Sequence, residues 1–331
     1  MKKYSSRQVA KFVKKMQQQN ILVIGDVMLD QFIWGKVDRI SPEAPVPVVH
    51  VTHESAYPGG AANVARNLTQ FGIKSTMCGI IGQDMNGKKL LGILKESGIA
   101  TDGLLALPEY QTIVKTRIIA RHQQVVRVDR ESPDPLKMEQ LANLVNKLET
   151  MVQSATAIII EDYGKGLINQ EFADIVIALA QKHKKIVTVD PNPKNPLIWN
   201  GVTLVKPNRM EAFAAANIPV SEDRDTLLKV GEKLLEIWKT ALLLITLGED
   251  GLIMFQQGYP PFHTPTKAVE VFDVSGAGDT VIAFFTAALA AGLNSYEAAQ
   301  LSNHAAGIVV GKLGTATLTP EELLKSFDDV E

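Results

Sequence analysis

The chain has a single cysteine, Cys78, so neither a disulfide framework nor a cysteine-based metal site can form. A reducing cytoplasm is the expected home. Long hydrophobic runs are also missing. The longest, Val281 to Leu293, covers 13 residues and is rich in alanine, against the roughly 20 that a membrane span needs. Ile21 to Ile24 is too short for a signal-peptide core, so no membrane partner is expected. Nor is there an excess of one charge: 34 Lys+Arg stand against 36 Asp+Glu, a net charge of −2. That balance gives no global electrostatic reason to bind nucleic acid. His50, His53, His122, His183, His263 and His304 show no metal-ligand spacing. The first apolar run ends in Gly25-Asp26-Val27-Met28, without the G-x-G-x-x-G that a dinucleotide pyrophosphate needs. Gly82 to Lys88 follow the P-loop spacing, but Lys89 stands where a Ser or Thr must reach Mg²⁺. Repeats, linkers and low-complexity tracts are absent.

What remains is an ordinary packed chain. Its 331 residues are 46% hydrophobic and 21% charged, which excludes disorder. Short apolar runs (21–24, 76–81, 157–160, 186–189, 204–205, 242–245) alternate with helix-length amphipathic segments near 61–71, 86–96, 138–152, 171–183, 224–239, 279–292 and 296–311. Strands buried on both faces and alternating with helices predict a three-layer α/β fold with a mainly parallel central sheet. Ligands of such sheets bind beyond the carboxyl ends of the strands.

Two segments break the rhythm. Residues 31–57, with Pro42, Pro45 and Pro47 among alternating valines, predict an edge strand or hairpin. Residues 112–130 predict a β-ribbon with Lys115, Arg117 and Arg121 on one face and Val114, Ile118 and Ala120 on the other. The expectation is one domain, 1–331, with a small β-sheet lid made of these two segments.

Two glycine-rich turns carry chemistry. In Asp273-Val274-Ser275-Gly276-Ala277-Gly278-Asp279-Thr280, the glycines let successive N–H groups and a helix N-terminus converge on one anion. A carboxylate there stays ionised and can take a proton from a hydroxyl attacking a phosphate. An N-capping Asp after a tight turn has the same pattern, and spacing alone does not choose. In Pro58-Gly59-Gly60-Ala61-Ala62-Asn63, a second glycine pair opens a helix with a polar side chain one turn in. An Asn both donates and accepts, which suits sugar hydroxyls, although a capping role is the simpler account of that motif alone.

Taken together, the two turns resemble the paired signatures of the PfkB (ribokinase-like) carbohydrate kinases, over essentially the whole chain. The resemblance implies a ribokinase-like fold, ATP and Mg²⁺, and a sugar acceptor. It implies that Asp279 is the catalytic base and that Gly276, Ala277 and Gly278 face the transferring phosphoryl. Asp30, Gly59, Gly60 and Asn63 would hold sugar hydroxyls. Asn208-Arg209-Met210-Glu211 looks like the family's N-x-x-E motif, so Asn208 and Glu211 would position Mg²⁺ and nucleotide phosphates. Thr246, Gly248 and Asn303 would line the nucleotide, and Asp162 and Lys165 would face phosphates. A helix start with ordinary caps is the competing account of Asn208 and Glu211.

Finer features resemble the subgroup that phosphorylates O1 of D-glycero-D-manno-heptose 7-phosphate on the way to ADP-heptose and lipopolysaccharide core. They are Gly25 to Asp30, Ile40 to Val48, Arg121 to Asp129 and Val310 to Thr315. Many members of that subgroup carry an adenylyltransferase with an H-x-G-H motif; this sequence has none and resembles the stand-alone kinase. Lys115 and Arg117 would read the phosphate the substrate already bears, though a solvated charged face looks the same. A homodimer joined through the lids is implied, since an exposed edge ribbon invites pairing. Another sugar or sugar-phosphate kinase (a fructokinase or phosphofructokinase) stays open, as does, more remotely, a non-catalytic sugar-nucleotide sensor.

Overall fold

The computed structural model describes residues 4–120, 123–131, 136–267, 271–312 and 314–328. Arg121, His122 and Leu313, which the sequence reading used, lie outside the described residues. From the N-terminus the elements are α1 (Ser6–Met16), β1 (Asn20–Gly25), β2 (Val27–Ile40), β3 (Pro47–Gly60), α2 (Ala61–Gln70), β4 (Lys74–Gly82), α3 (Met85–Glu96), β5 (Ala100–Leu107), β6 (Ile113–Ala120) and β7 (Gln123–Arg130). Then come α4 (Met138–Ser154), β8 (Ala157–Glu161), α5 (Gln170–Lys182), β9 (Ile186–Asp190), β10 (Leu204–Val205), α6 (Arg209–Ala215) and α7 (Arg224–Trp238). The last are β11 (Leu242–Thr246), β12 (Leu252–Gln256), β13 (Tyr259–Thr264), α8 (Ala277–Ala290), α9 (Ser295–Val309) and α10 (Pro320–Asp328).

Nine strands form one sheet in the order β13-β12-β11-β10-β9-β8-β1-β4-β5, parallel from β11 to β5 and antiparallel at the β12 and β13 edge. Strand β1 shows why the runs are continuously apolar. Ile21 and Val23 enter one core with α2, α8 and α9, while Leu22 and Ile24 enter the other with α4 and α5. Helix α8 is buried from Asp279 to Ala288 and packs Phe284 edge-on against Phe71 at 4.7 Å. Burying each such aromatic is worth roughly 1.5–3 kcal/mol, so this helix end is firmly anchored.

Strands β3-β2-β6-β7 form the second, four-stranded sheet. The chain passes from β1 into it through the single residue Asp26. The lid therefore reaches back to 27 and 60, beyond the expected 31–57: β2 is buried at its root and exposed at its tip. Three further departures are instructive. Helix α1 lies in a segment with no apolar run, yet buries Val9, Val13 and Met16 on one face. Strand β5 and the β12–β13 hairpin are absent from the sequence expectation. In the hairpin, Leu252 to Phe255 is buried while β13 is mostly exposed. Among the described residues, no helix is long and apolar enough to cross a membrane.

Candidate active site

The two glycine-rich turns meet. Gly60 opens α2 at φ +59°, Gly276 opens α8 at φ +82°, and both need the freedom of glycine. A Cβ on Gly276 would stand 2.9 Å from Asn63 Nδ2, and one on Gly59 would stand 2.2 Å from Asp30 Oδ2. That closeness lets Asn63, one turn into α2, donate its amide to Asp279 Oδ2 at 2.7 Å. The Tyr163 hydroxyl donates to the other oxygen, Oδ1, at 3.0 Å. Asp279 is 8% exposed. Burial pushes its carboxyl up to about 6; Asn63 and Tyr163 oppose the shift by donation, and Asp190 adds to it. Among the described residues Asn63 Oδ1 is buried without a hydrogen-bond partner, leaving an acceptor beside Asp279.

Behind Asp279 lies a concentration of negative charge. Glu161 at the end of β8, Asp190 at the end of β9 and Asp279 each bring a carboxylate oxygen within 4.8 Å of one another. Glu161 is fully buried, and neither of its oxygens has a hydrogen-bond partner. Burial, then Asp190 and Asp279, push its carboxyl well above the usual range. The cation facing this group is Lys206, paired with Asp190 at 2.8 Å. Burial alone would lower the Lys206 ammonium, but Asp190, Glu161 and Glu211 together raise it, so it stays charged. An orphaned buried carboxylate beside two others is a donor set that suits a hard divalent cation, and Mg²⁺ fits these residues.

A cavity of about 820 Å³ opens on the same strand ends. Of the residues expected to bind nucleotide, Asn208, Arg209, Met210, Glu211, Thr246, Gly248 and Asn303 all line it, together with Ala277 and Gly278. Their local geometry is partly that of a helix start. Asn208 Oδ1 accepts from the Glu211 N–H at 2.9 Å, and Glu211 Oε2 accepts from the Asn208 N–H at 2.8 Å, a reciprocal capping box. Arg209 is committed to Glu222 and Asp250, each at 2.7 Å. Asn303 donates to the Pro265 carbonyl at 2.6 Å. Lys165 sits apart from these residues. It lies outside the cavity lining and pairs with Glu131, just past β7, at 2.6 Å. Asp162 holds the loop, accepting from Gly164 N–H and Asn195 Nδ2, each at 2.8 Å. The lysine that lines the cavity is Lys206. Its signal in the sequence is its place after the apolar pair Leu204-Val205, at a strand end like the acids.

On the lid side, Arg117 donates to Asp30 in an ion pair and lies over the Phe32 ring at 5.2 Å. Two residues expected to bind substrate are therefore bound to each other. Lys115 forms no ion pair among the described residues; its Nζ lies 5.5 Å over the Tyr163 ring. Burial lowers its ammonium, Asp30 opposes that, and Lys165 adds to it. Trp34 stacks on His53 at 5.5 Å and Tyr57 meets Phe32 at 5.8 Å, both within the lid. Sequence reasoning missed Tyr163, Glu161 and Asp190 as members of the surroundings of Asp279; only their places after apolar strands marked them.

Comparison with known proteins bears on family and fold. Residues 18–322 match the pfkB family carbohydrate kinase description. The bifunctional protein HldE of Geobacter sulfurreducens is 44% identical over 308 residues, covering 93% of this chain and 63% of the relative. That of Helicobacter pylori strain J99 is 42% identical over 303 residues, covering 92% of this chain and 65% of the relative. The chain thus spans less than two thirds of the length of these relatives. Arabidopsis thaliana ribokinase complexed with ribose and ATP has a TM-score of 0.72 at 17% identity, covering 93% of this chain and 98% of its own. The tetrameric inhibited form of Escherichia coli phosphofructokinase-2 has a TM-score of 0.74 at 17% identity, covering 94% and 99%. At that identity the two structures show the shared ribokinase-like fold.

Proposed function

Because this chain belongs to the pfkB family of carbohydrate kinases, we propose that it transfers the γ-phosphate of ATP to O1 of D-glycero-D-manno-heptose 7-phosphate. The observation that carries the transfer is the meeting of Asp279, Asn63 and the Gly276 turn, next in the chain to Ala277 and Gly278, which line the nucleotide-side cavity. The subgroup features from Gly25 to Asp30 and from Ile40 to Val48, and the identity to the HldE proteins, support the heptose substrate.

The residues divide the work. Asp279 accepts the proton of the sugar hydroxyl as that oxygen attacks phosphorus. Each of its oxygens accepts one hydrogen bond and keeps a lone pair for the incoming hydroxyl. Asn63 Oδ1, buried and without a partner, is the acceptor for a neighbouring sugar hydroxyl. The N–H group of Gly278, at the positive end of α8, stabilises the phosphoryl oxygens as charge develops, while that of Ala277 closes the turn by donating to the Val274 carbonyl at 3.2 Å. Lys206 adds a fixed positive charge to the same wall. The family uses ATP and Mg²⁺. Glu161 and Asp190, with Glu211 beside them, would hold the ion, which when bound neutralises phosphate charge. Asn208 is the weaker metal candidate, because its side-chain oxygen already caps α6.

Lys115 is the lid residue suited to the substrate's own phosphate. It is a partly buried cation without an ion pair among the described residues, with a second lysine close enough to disfavour its charge. An arriving phosphate would relieve both costs. Arg117 instead sets Asp30, and through it the sugar hydroxyls that Asp30 accepts. The exposed edge of β7, with Val126 and Val128 on one face, suits pairing with a second copy through the lids. We assign the enzyme to the cytoplasm, where ATP is made.

Turnover of ATP with a panel of sugars tests this reading. Heptose 7-phosphate should be preferred over fructose, ribose and the fructose phosphates. An equal or higher kcat/KM for a fructose phosphate would assign the chain to a different acceptor.

A further inference from the structure

Tyr163 belongs to none of the signatures above, yet it touches the reacting group. It follows β8 in Glu161-Asp162-Tyr163-Gly164-Lys165. Its hydroxyl donates to Asp279 Oδ1 at 3.0 Å, and its ring lies beneath Lys115 Nζ at 5.5 Å. The loop does not depend on that hydroxyl for its shape. Asp26, the residue joining β1 to β2, accepts the backbone N–H groups of Tyr163 and Lys165, each at 3.0 Å. Gly164, at φ +64°, makes the turn between them. The phenol thus stands on an independently held backbone, with one edge on the base and one face against the lid.

We propose that Tyr163 is a positioning residue: its hydroxyl aims the Asp279 carboxylate, and its ring ties that aim to the seating of the lid through Lys115. The inference rests on Asp279 being the base. With Asn63 on one oxygen and Tyr163 on the other, the carboxylate plane is fixed at both ends. Fixing it matters because a base must meet its hydroxyl within hydrogen-bond reach and in line with the phosphoryl. Asp279 Oδ1 is a carboxylate oxygen and can only accept, so the phenol is the donor of this pair. A cation 5.5 Å over the ring joins the segment that carries the substrate-phosphate lysine to the segment that aims the base. Seating the sugar phosphate and aiming the base thereby become one event.

Two substitutions separate the parts. Tyr163→Phe keeps the ring, the loop and the contact with Lys115, and removes only the donor. We expect kcat to fall by roughly tenfold or more, the cost of losing a hydrogen bond to a charged group, with KM for ATP and for the sugar phosphate unchanged. Tyr163→Leu also removes the ring, and should add a rise of several-fold in the sugar-phosphate KM. Thermal unfolding of both variants, with ATP titration, checks that the fold survives. Single-turnover rates of Asp279→Asn and of the double variant Tyr163→Phe/Asp279→Asn supply the decisive comparison. Once the carboxylate is gone, losing the hydroxyl should cost nothing further. A tenfold loss that persists in the Asp279→Asn background means that Tyr163 acts elsewhere and overturns the proposal, as does a Phe variant within twofold of wild type. Equal sugar-phosphate KM values for Phe and Leu overturn the lid connection. Near-normal turnover by Asp279→Asn alone would instead remove the base on which the inference rests.

Discussion

Replacing Asp279 by Asn tests the mechanism at its centre, and the surroundings of the residue decide what should change. Asn63 presents an N–H₂ group to Oδ2 and Tyr163 an O–H to Oδ1. An Asn side chain satisfies both: its carbonyl turns to Asn63, and its own N–H₂ meets the Tyr163 oxygen, which accepts as readily as it donates. No buried partner is orphaned, so the penalty of roughly 1–3 kcal/mol for an unsatisfied group does not arise. The substitution also removes one of the carboxylates crowded with Glu161 and Asp190 within 4.8 Å, which relieves like-charge repulsion. Thermal stability should therefore hold or rise slightly. Asp279→Ala, by contrast, strands both donors and should lose stability. What Asn cannot do is accept the hydroxyl proton. That step is typically worth about 10²–10⁴ in rate, or roughly 3–5 kcal/mol of activation free energy. The assay is ADP release at saturating ATP and sugar phosphate, beside calorimetric titration of ATP. We expect kcat to collapse by that factor with KM little changed, because only the transition state loses an interaction. A folded Asn variant that binds both substrates and turns over within a few-fold of wild type would refute the reasoning.

Lys115→Met keeps the length of the side chain and removes its charge. It should raise the sugar-phosphate KM by roughly 10- to 150-fold, corresponding to about 1.5–3 kcal/mol for one charge-assisted contact, with ATP binding unaffected. An unchanged KM would make Lys115 solvated surface. Gly276→Ala forces a left-handed residue and places a methyl 2.9 Å from Asn63 Nδ2, so the base loses its donor. Activity should fall more than stability, and parallel losses in kcat and melting temperature would mean that the turn is only structural. His304 is buried, stacked on Phe327 at 3.8 Å, and its imidazole is driven down to about 4 by burial and then by Lys267. Its folded value lies below its unfolded value, so its contribution is complete above the ordinary histidine range near 6.5. That contribution is lost as pH falls from there toward about 4, by at most roughly 3 kcal/mol. His304→Leu should flatten the melting temperature between those limits, and an unaltered slope would place the acid sensitivity in other groups.

The layers of the fold were legible because a strand buried on both faces must be apolar throughout and a covering helix must be amphipathic. Those patterns are local, and β1, β4, β8, β9 and β11 each coincide with an apolar run. The elements missed are those whose burial depends on a neighbour. Helix α1 buries Val9, Val13 and Met16 within a segment rich in Lys and Gln, and β13 covers the sheet edge with mostly exposed residues. The residue linking the two sheets, Asp26, was likewise visible only as one acid after one strand.

For the site, the sequence by itself determined where tight turns and strand ends fall, because glycine is favoured where φ is positive and acids cluster where the sheet stops. It therefore marked Gly60, Gly276, Asp279 and the segment from Asn208 to Glu211 as candidates. Which charges neutralise one another was decided only in the tertiary structure. Arg117 pairs with Asp30, Lys165 with Glu131 and Lys206 with Asp190, while among the described residues Lys115 has no ion pair and Glu161 no hydrogen-bond partner. The two donors on the base were decided there too: Asn63 lies 216 residues from Asp279 in the chain and Tyr163 lies 116. A side chain's chemistry is written in its type, but its partner depends on distance in space, which a chain acquires only when its layers pack.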